Sequence, residues 1–414
     1  MAIDTSKNET PVLIIGAGPV GLFLALRLSQ SGVPVTVIEA NSGLDDSTKA
    51  LTHMPTIYPD FKRAGILDDV LNAAGELRST SAYFRRTSDK SVITKLPIPP
   101  GKPGPCLLPQ GHFCKILLKH SQRAGAQVLF GHRFESVRAQ EGSRVHVDVS
   151  SDDGVKKTFD ARFLVAADGG KSAVRKAAGI EFEGETLPAQ LVATDLYYPF
   201  EKFGWSATDA NFFADPQDYG LITPIDGKGL WRCSFGLQLN KDSGEGSRKE
   251  GLSMNEIESA VPRKFEKMLP SEPGKKPEGW KLVQIAPYKA QQLCAKTMRK
   301  RSVVLVGDAA HLTNPYAGMG LNTGIFDASS LADALVSIVQ RDASDSLLDK
   351  WSDARRNMFL KVVDPMSRAA YWAFQDPDTD SLPDRHPMFK AMKAGPNAKP
   401  PELGTDVSKF VEFK

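Results

Sequence analysis

A chain of 414 residues that is 41% hydrophobic, 24% charged and 8% aromatic has the make-up of a folded globular protein, with length for two or three structural units around a sizeable core. Its 52 basic and 49 acidic residues leave a formal charge of +3, and with no Lys/Arg block to track a phosphate backbone, nucleic acid is excluded as a partner. Four scattered cysteines without CxxC spacing exclude a disulfide framework and a structural zinc site, so reduced thiols, a cytoplasmic location and no bound metal are expected.

The opening MAIDTSKNET is polar and lacks the apolar centre of a secretory signal. No run approaches the roughly 18 apolar residues of a membrane span, so no transmembrane segment is expected. Residues 12–15 are a short β-branched run that stops at Gly16, and Leu22, Ala25, Leu26 and Leu28 follow at helical spacing. Ser31 and Gly32 end the helix, and residues 35–38 supply a second buried strand closed by Glu39. Together they predict a βαβ unit. In Gly16-Ala17-Gly18-Pro19-Val20-Gly21 the first glycine permits the tight turn, the second lets a pyrophosphate approach the backbone, and the third lets helix and strand pack closely. Unpaired amides at the helix start would face the anion, and Glu39 is placed to accept hydrogen bonds from a ribose. These features suit a nicotinamide or a flavin nucleotide equally.

A helix over 110–124 ends at Gly125 and leads into a strand over 127–130, then alternating strands over 135–149 and 157–165. The stretch FLVAADGG is another buried strand, meeting a glycine turn at Asp168-Gly169. From about 184 to 285, alternating segments such as QLVATDLYYPF and GLWRCSFGLQL, separated by Asp/Gly turns, predict an inserted antiparallel sheet. Polar stretches over 241–251 and 271–279 read as surface loops. RSVVLVGDAAH restores the buried-strand pattern and ends in Gly307-Asp308, and TGIFDASSLADALVSIVQ is a long amphipathic helix. Beyond Pro377 the chain is rich in Pro, Asp and Lys and is expected to wrap the surface with little regular structure.

Three of these stretches, PVLIIGAGPVGLFLALRLSQSGVPVTVIEA, FLVAADGGKSAVRKAAGI and RSVVLVGDAAHLTNPYAGMGLNTGIFDASSLADAL, together resemble those of the single-component flavoprotein aromatic hydroxylases. That family includes para-hydroxybenzoate hydroxylase and phenol hydroxylase, and the resemblance spans about residues 11–345. It implies an α/β fold: an FAD-binding Rossmann-like domain in two parts (1–183 and 286–345), an inserted antiparallel-sheet substrate domain (184–285) and a C-terminal helical and irregular tail (346–414). It also implies resident FAD, NADPH or NADH as a transient reductant, and O2. A flavin hydroperoxide would then hydroxylate a phenolic or related aromatic small molecule. A homodimer is left open.

Residue by residue, the resemblance implies that Gly16, Gly18, Pro19, Val20 and Gly21 lie along the FAD pyrophosphate, with Glu39 and Ala40 at the adenosine ribose. Gln110 would approach the ribityl-phosphate region. Asp168 and Gly169 fall on a "DG" motif linked to the pyrophosphate and to nicotinamide use. Gly307 and Asp308 fall on a "GD" motif whose carboxylate accepts from the ribityl hydroxyls. Gly318, Gly320, Leu321 and Asn322 begin a helix that would face the pyrimidine edge of the isoalloxazine. Many relatives carry an arginine after the second strand to pair with the FAD phosphates; Lys49 stands here instead, and balances charge without a bidentate pair.

Pro315 would shape the oxygen-reaction site, in the loop that Tyr316 also opens. For the base that deprotonates a phenol, His53 lies in the segment that approaches the ring system in relatives; a structural histidine is the alternative. In the inserted sheet, Phe213, Tyr219 and Trp231 are either pocket lining or sheet core. Arg232 is either an anchor for an anionic substrate or a solvated side chain. His311 reads first as a structural group beside the cofactor loop. The rival functions are an epoxidase or oxidative ring-modifying monooxygenase of a polyketide or terpenoid in secondary metabolism, and a flavin-binding protein without turnover.

Overall fold

The computed structural model describes residues 9–98, 101–141, 144–239, 251–386, 389–390 and 402–412. The opening residues 1–8, nearly all of the loop expected over 241–251, and residues 391–401 of the tail lie outside that set.

The apolar strand Glu9–Ile15 is buried because it is flanked on both sides. It pairs in parallel with Val35–Ile38 and with Lys156–Ala166, so that Ile15 lies beside both Ile38 and Ala166. Val303–Leu305 extends the parallel set on one side and Gln127–Leu129 on the other. The turns at Gly16, Asp168 and Asp308 therefore leave the carboxyl ends of neighbouring strands, where open α/β sheets gather their ligands.

The helix Pro19–Gln30 follows the first strand, and it is covered on all sides rather than along one stripe. Leu22, Phe23, Leu24, Leu26 and Leu28 are all fully buried, each stabilising the fold by about 1.5–3 kcal/mol. The helix meets both Gln110–Arg123 and Met319–Gln340. A Cβ at Gly324 would stand 2.6 Å from Val20 Cγ2, and one at Gly307 3.0 Å from it. Val20 thus sits in a notch made by two glycines, and the first helical turn packs directly on the Gly307 turn.

The second sheet has eight strands. Its centre is antiparallel: Lys281–Ala295, Phe182–Tyr197, Leu230–Gln238, Gly220–Pro224 and Ala210–Ala214. Ala210–Ala214 then pairs in parallel with Ser81–Arg86, whose hairpin partner is Val92–Pro97. Hydrogen bonding therefore cuts across the expected boundaries, because 81–97 completes the second sheet and Lys281–Ala295 runs through position 285. A helix, Met254–Met268, also interrupts the region expected to form an antiparallel sheet; Ser253 and Glu256 form its capping box. Ile257, Val261, Phe265 and Met268 pack it on the back of the sheet with Trp231 and Phe235.

The tail carries the helices Leu347–Met358 and Asp364–Ala373, joined by a widened π turn over Phe359–Val363. Among the described residues no helix is long and apolar enough to cross a membrane, and no group of three or more His, Cys, Asp or Glu is placed to hold a metal ion.

Candidate active site

A groove of about 970 Å³ runs over the strand ends, lined by segments 15–20, 38–52, 167–169 and 312–321, with Asp308 between them and the second sheet as its far wall. That volume sits at the upper end of the ~300–1,000 Å³ seen for small-molecule sites, so the groove suits an elongated ligand with a second molecule at one end.

The glycines of the first turn divide by what surrounds them. Gly16 has φ +109°, and a Cβ there would lie 2.4 Å from the Ala167 carbonyl oxygen; at Gly21 it would lie 2.1 Å from the Gly16 oxygen. Gly18 has an ordinary extended backbone at φ −71°, and nothing lies within 4 Å of a Cβ built on it. Protein packing thus requires Gly16 and Gly21, and the open space at Gly18 faces the groove.

Glu39 lines the groove with Oε2 accepting from the Ala17 amide at 2.9 Å and Oε1 from the Asn41 amide at 2.9 Å. Each oxygen keeps a lone pair for a ligand. Lys49 reaches Asp45 at 2.7 Å, and hydrogen bonds from Lys49 and Ser47 hold the Asp45 carboxyl down to about 2. Gln110 accepts from the Ala50 amide at 3.4 Å. Asp308 is open to the groove. The protein around it raises its pKa, and His311 and Lys49 act in the opposite direction.

Four buried polar atoms of groove-lining residues have no hydrogen-bond partner among the described residues: Ser47 Oγ, Thr223 Oγ1, Asp168 Oδ1, whose other oxygen accepts from the Val174 amide at 3.1 Å, and His132 Nε2, whose Nδ1 is 2.7 Å from the Phe130 oxygen. His132 was missed in the sequence, and its signal was its place just after the strand that flanks Val35–Ile38. These unfilled partners and the room at Gly18 fit a dinucleotide lying along the groove.

Pro19, Val20, Ala40, Gly169, Gly318, Gly320 and Leu321 line the groove as expected positions, and so does Pro315. Gly307 does not: it packs behind on Val20 and donates its amide to Asp327 Oδ2 at 3.0 Å. The Asn322 side chain is also turned away, accepting from the Met54 amide at 3.0 Å and donating to the Gly318 oxygen at 2.6 Å. His311 is structural as expected, bonded to Asp327 at 2.7 Å and stacked on Phe359.

The expected catalytic base is corrected. In the two-residue strand Thr52–His53 successive side chains point opposite ways: Thr52 lines the groove, and His53 is fully buried, edge-on to Phe113 at 4.6 Å with Nε2 3.1 Å from the Leu108 oxygen. Burial lowers its pKa to about 4, opposed by the Leu108 hydrogen bond. A base whose folded pKa lies below its unfolded value of about 6.5 is bound to fewer protons when folded. His53 therefore destabilises the fold as pH falls from about 6.5 towards 4, by up to about 3 kcal/mol. His53→Leu is expected to flatten that acid limb in pH-dependent melting and to leave the ionisations of the kcat profile in place; loss of one of those ionisations would restore His53 as the base.

The same alternation corrects the sheet aromatics. Phe213 and Trp231 sit on the back face, against Trp205 at 5.9 Å and Phe200 at 4.5 Å. Tyr219 and Tyr316 join the cluster of Ala189, Leu191 and Phe84 and are not groove-lining residues; they pack on one another at 5.8 Å, with Tyr316 also against Phe374 at 4.9 Å. The groove instead meets Ala193, Leu221, Thr223, Arg232, Ser234, Ala286 and Tyr288. Arg232 is in place but is not a free anchor: it pairs with Asp195, Nε to Oδ1 at 2.8 Å and Nη2 to Oδ2 at 3.1 Å, and donates to the backbone oxygens of Lys49 and Thr48.

A family model described as "FAD binding domain" matches residues 9–365. Para-nitrophenol 4-monooxygenase of Pseudomonas sp. (strain WBC-3) is 33% identical over 408 residues, 97% of this chain and 94% of that protein. The 6-hydroxy-3-succinoylpyridine 3-monooxygenase of Pseudomonas putida is 32% identical over 86% of each chain. Among solved structures, p-nitrophenol 4-monooxygenase from Pseudomonas putida DLL-E4 superposes with a TM-score of 0.81 at 30% identity over 97% of both chains. With a groove of this geometry, a family match over residues 9–365 and relatives matched over 86–97% of this chain, the chain belongs to the single-component FAD-dependent aromatic hydroxylases.

Proposed function

We propose that the protein is an NAD(P)H-consuming monooxygenase that places one oxygen atom of O2 on the ring of a phenolic or related aromatic small molecule. The observation that carries this reading is the convergence of the Gly16, Asp168 and Asp308 turns on one groove whose far wall is a sheet bearing Ala193, Ser234, Leu221 and Ala286 beside the paired Arg232. The relatives named as monooxygenases, one of a nitrophenol and one of a hydroxypyridine, support it.

FAD, when bound, supplies electron transfer and oxygen activation. The chain's own groups do the rest. Amides of the Gly16 turn and the first turn of Pro19–Gln30 would receive the pyrophosphate, Glu39 the ribose hydroxyls and Asp308 the ribityl hydroxyls. The helix beginning at Gly318, which is left-handed at φ +63°, would turn its positive end to the pyrimidine edge. Leu312, Pro315 and Leu221 would exclude water from the reacting carbon. The four cysteines, all free and buried, support a reducing, cytoplasmic setting.

A second reading, oxidation of a polyketide or terpenoid, draws on the solved ternary complex of aklavinone-11 hydroxylase with FAD and aklavinone. That likeness, at 25% identity over 72% of the other chain, is weaker than 33% over 94% for the nitrophenol enzyme. Single-ring phenols come first in the test. FAD-loaded protein is expected to oxidise NADH or NADPH severalfold faster with an accepted phenol, and to give a product carrying one isotopically heavy oxygen from labelled O2. Reductant consumption that no aromatic compound accelerates would sink the reading.

A further inference from the structure

Strand register orders the sheet wall of the groove into rows. Ala286, Ala193, Ser234 and Leu221 lie side by side across four strands, and Gln284, Asp195, Arg232 and Thr223 form the next row. The first row, with the small side chains of Ala193 and Ser234 at its centre, is a shallow shelf for a flat ring. The second row is its polar border.

Arg232 is the one cation among the described sheet residues that line the groove. Unpaired, it would be the natural anchor for a carboxylate on the substrate. Its guanidinium is instead met by both oxygens of Asp195, at 2.8 and 3.1 Å, with the two side chains only 8% and 5% exposed. Its Nη1 is also committed to the Lys49 oxygen at 2.7 Å. The groove's other cation, Lys49, is paired with Asp45 at 2.7 Å. The polar atom left without a partner in this border is neutral: Thr223 Oγ1, buried and unbonded.

We propose that Asp195 is a specificity-determining residue that neutralises Arg232, so that the wall accepts phenols whose substituents are uncharged and refuses those bearing a carboxylate. The inference rests on the phenol reading given above. A carboxylate entering this wall would lose water and find only a guanidinium that Asp195 already neutralises.

The pair 4-nitrophenol and 4-hydroxybenzoate isolates the effect, because nitro and carboxylate groups are both planar and nearly equal in size. Dissociation constants are read from the perturbation of the flavin absorbance in FAD-loaded protein. The wild type is expected to bind 4-nitrophenol roughly a hundredfold more tightly than 4-hydroxybenzoate. Asp195→Asn, which leaves Arg232 uncompensated, is expected to cut that ratio by about tenfold or more. Arg232→Gln, which leaves Asp195 unopposed, is expected to raise it, and reports independently should the first variant not fold. Equal binding of the two compounds by the wild type, or a ratio that neither variant moves, overturns the proposal and leaves the phenol reading standing. If neither compound binds the wild type, the phenol reading falls and this inference falls with it.

Discussion

Gly18→Val is expected to yield a folded protein that loses FAD on dialysis. Position 18 has extended backbone at φ −71° and ψ 177°, which valine adopts freely, and no protein atom lies within 4 Å of a Cβ placed there. The apoprotein should therefore melt at the wild-type temperature. The added side chain instead fills the groove where a pyrophosphate would meet the backbone amides. Losing two hydrogen bonds to a charged group, at about 1.5–3 kcal/mol each, weakens FAD binding by roughly 10²–10⁴-fold. Gly21→Ala is the contrasting control, since its Cβ would stand 2.1 Å from the Gly16 carbonyl oxygen, a backbone atom. That variant should lose thermal stability whether or not FAD is present. Flavin content after gel filtration and melting of the stripped proteins separate the two outcomes. A Gly18→Val protein that keeps its FAD as well as the wild type would remove the Gly16 turn from the cofactor site.

These glycines show why the cofactor half of the groove was legible in the sequence. A left-handed φ or a forbidden Cβ is a local demand, met by a residue type that can be seen in a string of letters, and the carboxylates at strand ends are placed by the same short units. The substrate half depends on which face of a strand looks inward, and that is fixed only by pairing. Alternation in GLWRCSFGLQL shows that Trp231 and Arg232 face opposite ways. Only the pairing of Arg232 with both Asp195 and Thr223 shows that the Arg232 side meets the groove and the large aromatics fill the back. Thr52–His53 repeats the point at the length of two residues. Asp195 was passed over for the same reason: its partner lies 37 positions away. The helix Met254–Met268 had left a readable mark in Ser253 and Glu256, whereas the hairpin of Ser81–Arg86 and Val92–Pro97 had not, because charged residues break its apolar pattern.

Asp327 is another such residue, and Asp327→Asn is expected to be among the most destabilising single changes in the chain. Its carboxylate is fully buried and receives Arg355 Nε at 2.7 Å on one oxygen, and His311 Nε2 at 2.7 Å and the Gly307 amide at 3.0 Å on the other. Arg355, 1% exposed, continues to the Leu403 oxygen and to Thr405 Oγ1. One carboxylate therefore ties the turn bearing Asp308 to the long helix and to the C-terminal segment. An asparagine amide would turn a donor toward other donors and leave the Arg355 charge buried alone, a loss of about 3–5 kcal/mol and a fall in melting temperature of about 3–6 °C. Burial tends to raise the Asp327 pKa, but His311 and Arg355 outweigh it and hold the pKa below the ordinary carboxylate value. A carboxylate depressed in the folded state stabilises the fold above its unfolded pKa of about 4 and loses that contribution as the pH falls further. The gap in stability between wild type and Asp327→Asn should thus be widest near neutrality and narrow below about pH 4. Because Gly307 directly precedes Asp308, the variant should also release FAD faster at temperatures where it remains folded. A gap that stays constant on acidification would show that the Asp327 charge contributes nothing, and that its hydrogen-bonding shape alone holds the turn.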